Sequence, residues 1–588
     1  MNYLHKKLLT KVPACNSVIS GIKMARKLWV FQVLFVIGIL NLHAQGGYKG
    51  AGTPSITNSG ANIVGGSGTY WVVNNGNFNL VSPFAAKAAT MDNLTIAPGG
   101  SLTITPTTCL TVSETLANHN TSGTGIRLKS DSTGTGSLIT AAASVTGTTA
   151  AGRWMAAGKW NLVSSPITQT VTAFLTANPV IETNGAFRAM MDYSPGLNSW
   201  NPFFKTGADN GSLGGGRGFA MHTAPVNAAV TFTGTLQAGT LTVTGLTAGA
   251  WNCVGNPYTS AIGINLASTA VNDFLTANVG TTANLDPSFG AIYIWESPDG
   301  SNNQAGGYTI ISNVPVSSTA FNIQQGQAFM IKTNTTATSV DFNHAMQLHI
   351  PNMALKSAAI PWPVIQLTAT VNSQNSVAYL AFNDQMTKGL DPTYDVGMLR
   401  TDALLSVYTR LAEDNGVPFV IQSLPESSIT TNIIPVGLES VAGGEVIFSA
   451  KTTSLPPDLK VILEDKATKT FTDLEAGVYK ATIAANSVIT DRFLLHTSTQ
   501  TISDLPPVPS QSELKAFEFQ NMEIRIEGAV TSQAVATLYD ALGRIVLTSK
   551  LTEGSLNTIP TSNMNSGIYL LKVADLGVFH SFKLLITQ

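Results

Sequence analysis

Along most of this chain, apolar and polar residues alternate in short runs separated by Gly, Pro, Asn, Asp and Ser. A period of two marks strands with one buried face, and the turn formers bound each strand. Between residues 45 and 150 the triplets Leu94–Ile96, Leu102–Ile104 and Leu110–Val112 read apolar, Thr, apolar and start every eight residues. Ile126–Leu128 follows sixteen residues after the third. With Pro98, Gly99, Gly100 and Pro106 between them, these runs predict rungs of a short parallel β-helix or solenoid. Stacking would supply the core that one rung lacks. An antiparallel meander with even strand lengths is the competing reading.

Residues 151–350 carry a diverged duplication. Trp160, Asn161, Val163 and Pro166 match Trp251, Asn252, Val254 and Pro257 as W-N-x-V-x-x-P. A turn follows each, at Ser194–Gly196 and Ser297–Gly300. Gly216 and Phe219 then pair with Gly326 and Phe329, and Phe232 and Phe342 each come thirteen residues later. The copies are placed at about 151–245 and 246–350, each a β-rich unit with its Trp anchoring the sheet. Strand-like runs at 365–371, 376–382, 446–450 and 461–463 make 360–500 a β-sandwich. Pro506, Pro507 and Pro509 make 504–510 a stiff, exposed linker.

Beyond the linker, Val535, Thr537 and Tyr539 share one face of a strand, and Tyr569, Leu571 and Val573 share a face of another. Asp540 to Gly543 is a tight turn in which Gly supplies a conformation that a Cβ opposes, and Gly567 is expected to open the next strand for the same reason. Tyr539 and Asp540 are followed by Gly543 and Arg544 with a hydrophobic strand, then by Ser566, Gly567 and Tyr569, then by Lys583 and Leu584. This series resembles the C-terminal sorting domain of cargo proteins of the type IX secretion system, over residues 511–588. The resemblance implies recognition by the type IX translocon and sortase-like machinery, passage across an outer membrane, and often covalent attachment to the cell surface after the tag is removed, with cell-surface lipopolysaccharide or extracellular glycan as candidate partners. An ordinary terminal β-sandwich without a sorting role is the alternative. The chain departs from the family pattern by ending Ile586, Thr587, Gln588, where a basic residue is common.

Two weaker resemblances lie upstream. Gly255–Tyr258 (G-N-P-Y) and Gln325, Gly326 and Phe329 (Q-G-x-x-F) are similar to a module of large secreted proteins of Bacteroidetes-type bacteria, which implies no defined activity. Leu463–Lys466, Asp473, Tyr479, Arg492 and Phe493 resemble a domain often found just before the sorting tag.

The front end agrees with export. Met24, Ala25, Arg26 and Lys27 form a basic start before the apolar run Leu28–Leu40, and Ala44 before Gln45 reads as a cleavage site. Thirteen residues fall short of the roughly 20 that a membrane-spanning helix needs. Residues 1–44 therefore read as a signal peptide, with Met24 as the candidate start because residues 1–23 add no signal feature.

Composition narrows the function classes. Charged residues make up 11% of the chain, against roughly 25% in an average soluble protein. Removing residues 1–44 takes away six basic residues and no acids, so the formal charge moves from −2 to −8. Nucleic-acid binding, which wants a basic stripe, is a poor fit. Of the cysteines, Cys109 and Cys253 lie beyond the signal segment, and two isolated buried thiols are expected.

Candidate chemistry is sparse. Gly214, Gly215, Gly216 and Gly218 superficially suggest a phosphate loop, but Phe219–Met221 reads as strand, and such loops need a following helix. His119, His222, His344, His349, His496 and His580 show no metal spacing. His344 and His349 are expected on opposite faces of a strand. Asp391 with Asp395, or Asp299 with Asn302 and Asn303, offer oxygen ligands for Ca²⁺, yet such residues serve turns equally well. Trp160, Trp200, Trp251, Tyr258 and Trp295 cluster in the duplicated region and read as core anchors or, if exposed, as sugar platforms.

The sequence thus predicts an all-β, multidomain chain. It has a β-helix-like or meander segment, a duplicated β-rich middle, a β-sandwich and a small C-terminal β-sandwich for sorting. No catalytic residue, cofactor or metal ligand is assigned, and Ca²⁺ is unsupported. The expected role is non-enzymatic adhesion or display at the extracellular face of the outer membrane, or in the medium, reached through the periplasm. Binding of extracellular glycan, or a hydrolase without a local motif, are the alternatives.

Overall fold

The structure is a computed structural model. It describes residues 61–62, 69–72, 77–80 and 89–586, except 97, 121–124, 142–144, 209, 280–283, 298–306, 315–321, 351–361, 401–402, 412–415, 500–513, 520–522, 542, 563 and 576–577. The signal segment with Ala44 and Gln45, the linker at 504–510, and the turn with Asp299, Asn302 and Asn303 lie outside the described residues. The described elements are almost entirely strands. Among these residues no helix is long and apolar enough to cross a membrane. The chain forms two compact units that divide near residue 358.

In the first unit, the early strands alternate between two stacks and pair in parallel. One stack contains Asn77–Leu80, Ser101–Ile104 and Ile126–Leu128; the other contains Thr69–Val72, Ala89–Ile96, Cys109–Asn118 and Ser137–Thr140. The eight-residue period is therefore corrected. Leu94–Ile96 and Leu110–Val112 lie in one stack and Leu102–Ile104 in the other, so each eight-residue step crosses between stacks. The neighbour of Leu102 is Ile126, and that of Ile104 is Leu128. All of these apolar side chains are buried in one core. At a bend, Asn118 donates to the Thr148 carbonyl at 3.0 Å and accepts from the Asn120 amide at 3.1 Å. Asn120 donates to the Gly100 carbonyl at 2.6 Å. These side chains satisfy backbone groups that stacked strands leave unpaired at corners.

The duplication is explicit in the pairing. Trp160–Ser164, Gly218–His222, Met190–Ser194 and Ser199–Trp200 form one four-stranded sheet; Trp251–Gly255, Ala328–Lys332, Ile292–Glu296 and Gly307–Ile311 form the other in the same order. The sheets join about a pseudo-two-fold axis. Val163 bridges Gln327 while Arg217 bridges Val254. The Ser164 amide donates to the Gly326 carbonyl at 3.2 Å while the Gly255 amide donates to that of Gly216 at 2.9 Å. Each contact is its partner with the copies exchanged, the mark of an isologous interface. Gly218 permits this approach, because a Cβ there would run into the Cys253 sulfur.

Each copy is pinned by one short helix. Val171–Ala177 and Phe274–Val279 contribute Phe174 against Phe232 and Phe274 against Phe342, with ring centroids 4.8 and 5.0 Å apart. Asn178 donates to the Phe174 and Thr231 carbonyls at 2.8 and 2.9 Å and accepts the Thr231 amide at 2.8 Å. Asn278 repeats this with Phe274 and Asp341 at 2.9, 2.9 and 2.8 Å. Cys253 is a free, buried thiol, whereas Cys109 is disulfide-bonded, so the expected isolated thiol holds for Cys253 alone.

The second unit holds an eleven-stranded sheet between residues 364 and 498, with its core around Phe382, Phe448 and Phe493. One end of the strand order is Thr470–Asp473 and the other is Tyr479–Ile483. The Tyr479 hydroxyl donates at 2.6 Å to Asp465, the last residue of Lys460–Asp465 beside the opposite end strand, so the sheet curls toward a barrel. The C-terminal residues form a separate small sandwich. Lys515–Phe519, Glu523–Val530 and Gly554–Pro560 make one sheet; Ile545–Lys550, Val535–Tyr539, Gly567–Asp575 and Val578–Ile586 make the other. Its own core contains Ile524, Ile526, Leu538, Leu571 and Val573.

Candidate functional site

The strongest sequence-predicted residues, those of the sorting motif, converge on the four-stranded C-terminal sheet. Tyr539 and Asp540 end one strand, and Arg544 leads into the next. The Asp540 amide donates to the Arg544 carbonyl at 2.9 Å, and the Gly543 amide to the Asp540 carbonyl at 3.0 Å. The Asp540 carboxylate accepts the Arg544 amide at 3.0 Å and its Nε at 2.7 Å, so one side chain closes the hairpin twice. Gly543 has φ of 78°, the left-handed conformation expected of it.

Gly567 differs from expectation, since its φ lies outside the left-handed region. A Cβ there would make only ordinary van der Waals contact with the Tyr569 ring, so neither backbone conformation nor space requires the glycine. Tyr569 is buried and donates its hydroxyl to the Asn565 carbonyl at 2.9 Å, tying the preceding loop to the sheet. Leu584 pairs with Tyr569 and is buried, whereas Lys583 pairs with Leu570 and is exposed. Ile545 and Leu570 flank Tyr539 by strand pairing, and Ile568 pairs with Leu585. Ile545, Ile568, Leu570 and Leu585 are exposed. The motif thus has a buried half that builds the sandwich and an exposed half on its outer surface.

Other candidates are structural. The glycines at 214–218 run into the strand Gly218–His222, so no helix follows them. Asp391 is consumed by the Thr387 amide at 2.7 Å; Asp395 accepts the Asp391 amide at 2.7 Å and the Ser423 amide at 2.6 Å. Burial pushes the Asp395 carboxyl up to about 7, outweighing those amides, which favour its charged form. Among the described residues no group of three or more His, Cys, Asp or Glu side chains is placed to hold a metal.

His344 and His349 do not share a strand: His344 opens a 3₁₀ turn and His349 follows the strand Gln347–Leu348. His349 is clasped by Thr111 at 2.9 Å and Ser137 at 2.8 Å, linking the second copy to the parallel stack. Burial pushes its pKa down to about 3, keeping the ring neutral. His496 meets the buried Glu464 at 2.7 Å.

The landmark tryptophans are corrected. Trp160 and Trp251 are half-buried and lie outside the apolar cores; Val163, Val254, Phe219 and Phe329 anchor those instead. On a strand, positions three apart face opposite sides, so the Trp and Val of W-N-x-V part company. Of the five aromatics, Tyr258 is buried, donating its hydroxyl to the Phe342 carbonyl at 2.9 Å. Trp160 stacks on the exposed Phe203 with centroids 6.0 Å apart and planes 10° from parallel, and Trp200 packs edge-on to Tyr193 at 5.2 Å. Lys205 lies over the exposed Phe187 ring, 5.3 Å from its centroid. The repeated helix-end asparagines and the His349 clasp were missed by the sequence reading. The first had a signal, the identical pentapeptide F-L-T-A-N at 174–178 and 274–278; the second had none.

Comparison with known proteins fits this division. A solved structure titled "Biofilm associated protein - BSP domain" aligns with 71% of this chain and 69% of its own at 10% identity. Its TM-score of 0.11 carries no argument. No curated protein matches the chain. Residues 507–587 match the family described as the secretion system C-terminal sorting domain, which marks the chain as a type IX secretion cargo protein that is exported to the cell surface or medium. Residues 63–496 match the family described as Domain of unknown function (DUF8693), and with that share of its length the chain belongs to this family.

Proposed function

We propose that the body carried by this sorting domain is a non-enzymatic adhesion or display module at the extracellular face of the outer membrane, reached through the periplasm. The observation that carries this reading is the attachment of a sorting sandwich with its own core to a body whose displaced titratable groups serve the fold. Asp395, Asp465 and His349 are each engaged by backbone amides, a guanidinium or hydroxyls within the sheets they stabilise. Such saturation leaves them little capacity for acid–base work on a substrate. Lipopolysaccharide is the expected attachment partner.

A second reading, extracellular glycan binding, is favoured by the aromatic surface of the first copy, where Trp160 stacks on Phe203, Trp200 packs edge-on to Tyr193, and Phe203 is 42% exposed. Flat rings with hydroxyl and amide neighbours suit sugar faces.

Cell fractionation with mass spectrometry, comparing the full chain with one truncated after Pro509, tests the export route. The full chain is expected at the surface or in the medium, with the truncated chain retained in the periplasm; equal travel by both overturns the route. A glycan array probed with the body and with a Trp160→Ala, Phe203→Ala variant separates the two readings. Glycan binding lost in the variant supports the second, and adhesion of cells without such binding supports the first.

A further inference from the structure

The pseudo-two-fold seam between the copies is asymmetric at Arg153. Arg153 pairs with Val230, and Val243 pairs with Val340, so the two stand at equivalent places. Their surroundings agree: a Cβ on Gly326 would press on Arg153, and one on Gly216 would press on Val243. Val243 is 2% exposed and belongs to the second copy's apolar core. The first copy therefore puts a guanidinium where its twin uses an isopropyl group.

That guanidinium is poorly compensated. The Arg153 Nη1 is out of contact with solvent and has no hydrogen-bond partner, and the same holds for the Trp295 Nε1. Both residues line one cavity of about 40 Å³, together with Asn161, Val163, Gln327 and Ala328. Burial pushes the Arg153 pKa down to about 10, with no carboxylate acting against it. Arg153 as a whole is half-buried, but its Nη1 is enclosed, and a guanidinium N–H shut away from water without an acceptor is costly unless something offsets it. Guanidinium and indole N–H groups are donors only, so whatever satisfies both must be an acceptor. Water accepts hydrogen bonds but neutralises nothing. The volume exceeds the roughly 15 Å³ that one water requires, yet excludes a sugar or a peptide side chain.

We propose that this cavity binds a small monovalent anion of chloride size, held by Arg153 Nη1 and Trp295 Nε1 across the seam between the copies. Arg153 belongs to the first copy and Trp295 to the second, so the anion would cross-link the duplicated halves and stabilise their association. The ion binds only where both halves are folded, which makes it a ligand of the native state.

The test is a chloride titration of the purified full-length chain at constant ionic strength, with bulky gluconate replacing chloride. The unfolding midpoint and the excess ³⁵Cl NMR linewidth are followed together. The midpoint of the wild type is expected to rise with chloride, and the linewidth to show saturable binding. Arg153→Leu should keep the fold, because Val243 fills the equivalent position with an aliphatic side chain, and should lose both responses. Trp295→Phe should weaken binding by about tenfold, the loss of one hydrogen bond to a charged group. If Arg153→Leu does not fold, Trp295→Phe carries the test alone. A chloride response unchanged in these variants, or none in the wild type because the cavity holds only water, overturns the proposal.

Discussion

The hydroxyl of Tyr479, on one end strand of an eleven-stranded sheet, donates at 2.6 Å to the carboxylate of Asp465, which pairs with Thr470 at the other end of the strand order. Asp465 is fully buried and also receives Arg492 through Nε at 2.9 Å and Nη2 at 2.6 Å. Burial pushes its carboxyl up, but the Arg492 and Tyr479 hydrogen bonds outweigh that and hold it below the ordinary range. Arg492 also lies over the Phe493 ring at 4.9 Å. The spaced residues Asp465, Tyr479 and Arg492 are thus the closure of a near-barrel.

Removing the carboxylate charge leaves Arg492 facing a neutral amide. Asp465→Asn is expected to destabilise this sheet by about 3 kcal/mol. Tyr479→Phe removes one neutral donor and should cost about 1–2 kcal/mol. Because Asp465 titrates below its unfolded value, its contribution is present above the ordinary carboxylate pKa and lost as pH falls through the native one. Hydrogen exchange is the measurement: amides of Thr470–Asp473 and Tyr479–Ile483 should lose protection first in both variants. Uniform loss across the sheet would mean that the contact does not close it.

The repeated asparagines make a matched pair for mutation. Asn178 and Asn278 share three hydrogen bonds at nearly identical distances, and Asn278 also accepts the Asn284 side-chain amide at 3.1 Å. Asn178→Ala and Asn278→Ala should therefore cost similar amounts, about 2–3 kcal/mol each, chiefly from backbone groups left unpaired. Chemical denaturation of both single variants checks this, and a difference of several-fold would show that the copies have diverged in energetics while keeping geometry.

How much of this was legible in the sequence depends on the range of the interaction. The alternation that marks strands, the landmarks of the duplication and the Tyr539 to Leu584 series are local, and among the described residues they fall in strands or in the turns and bends between them. A two-residue period already puts the Trp and Val of W-N-x-V on opposite faces, which leaves Trp160 and Trp251 half-buried while Val163 and Val254 enter the cores. The eight-residue period is real, but successive repeats fall in different stacks, which a local period does not show. His349 and Arg153 were out of reach. Thr111 lies 238 residues before His349, and the oddness of Arg153 shows only once Val243 is known to be its twin.

The two units carry opposite pH responses. His349 titrates well below its ordinary value, so its neutral clasp contributes fully above about pH 6.5, and that contribution is lost as pH falls toward 3. Asp395 titrates above its ordinary value, so its contribution is present at low pH and lost as pH rises through about 7. Between pH 7 and pH 4 the first unit should weaken while the second strengthens. Calorimetry of the full chain should show two transitions moving in opposite directions. His349→Gln should flatten the first and Asp395→Asn the second; transitions that keep moving in these variants would assign the pH response to other groups.

The sorting hairpin allows recognition to be separated from folding. Arg544 is 75% exposed in its ion pair with Asp540, and exposed pairs contribute only about 0–1 kcal/mol. Arg544→Ala should therefore leave the unfolding midpoint of the C-terminal sandwich nearly unchanged. Leu571→Ala, by contrast, opens a cavity in the core of that sandwich and should cost about 3 kcal/mol. If the secretion machinery reads the outer surface of the hairpin, Arg544→Ala reduces export while the domain stays folded. If it needs only a folded sandwich, Leu571→Ala alone reduces export. Fractionation of cells expressing each variant, paired with thermal unfolding of the purified chains, distinguishes these outcomes. Normal export of both would remove the hairpin and the sandwich core from the recognition step and return the question to the rest of the sorting domain.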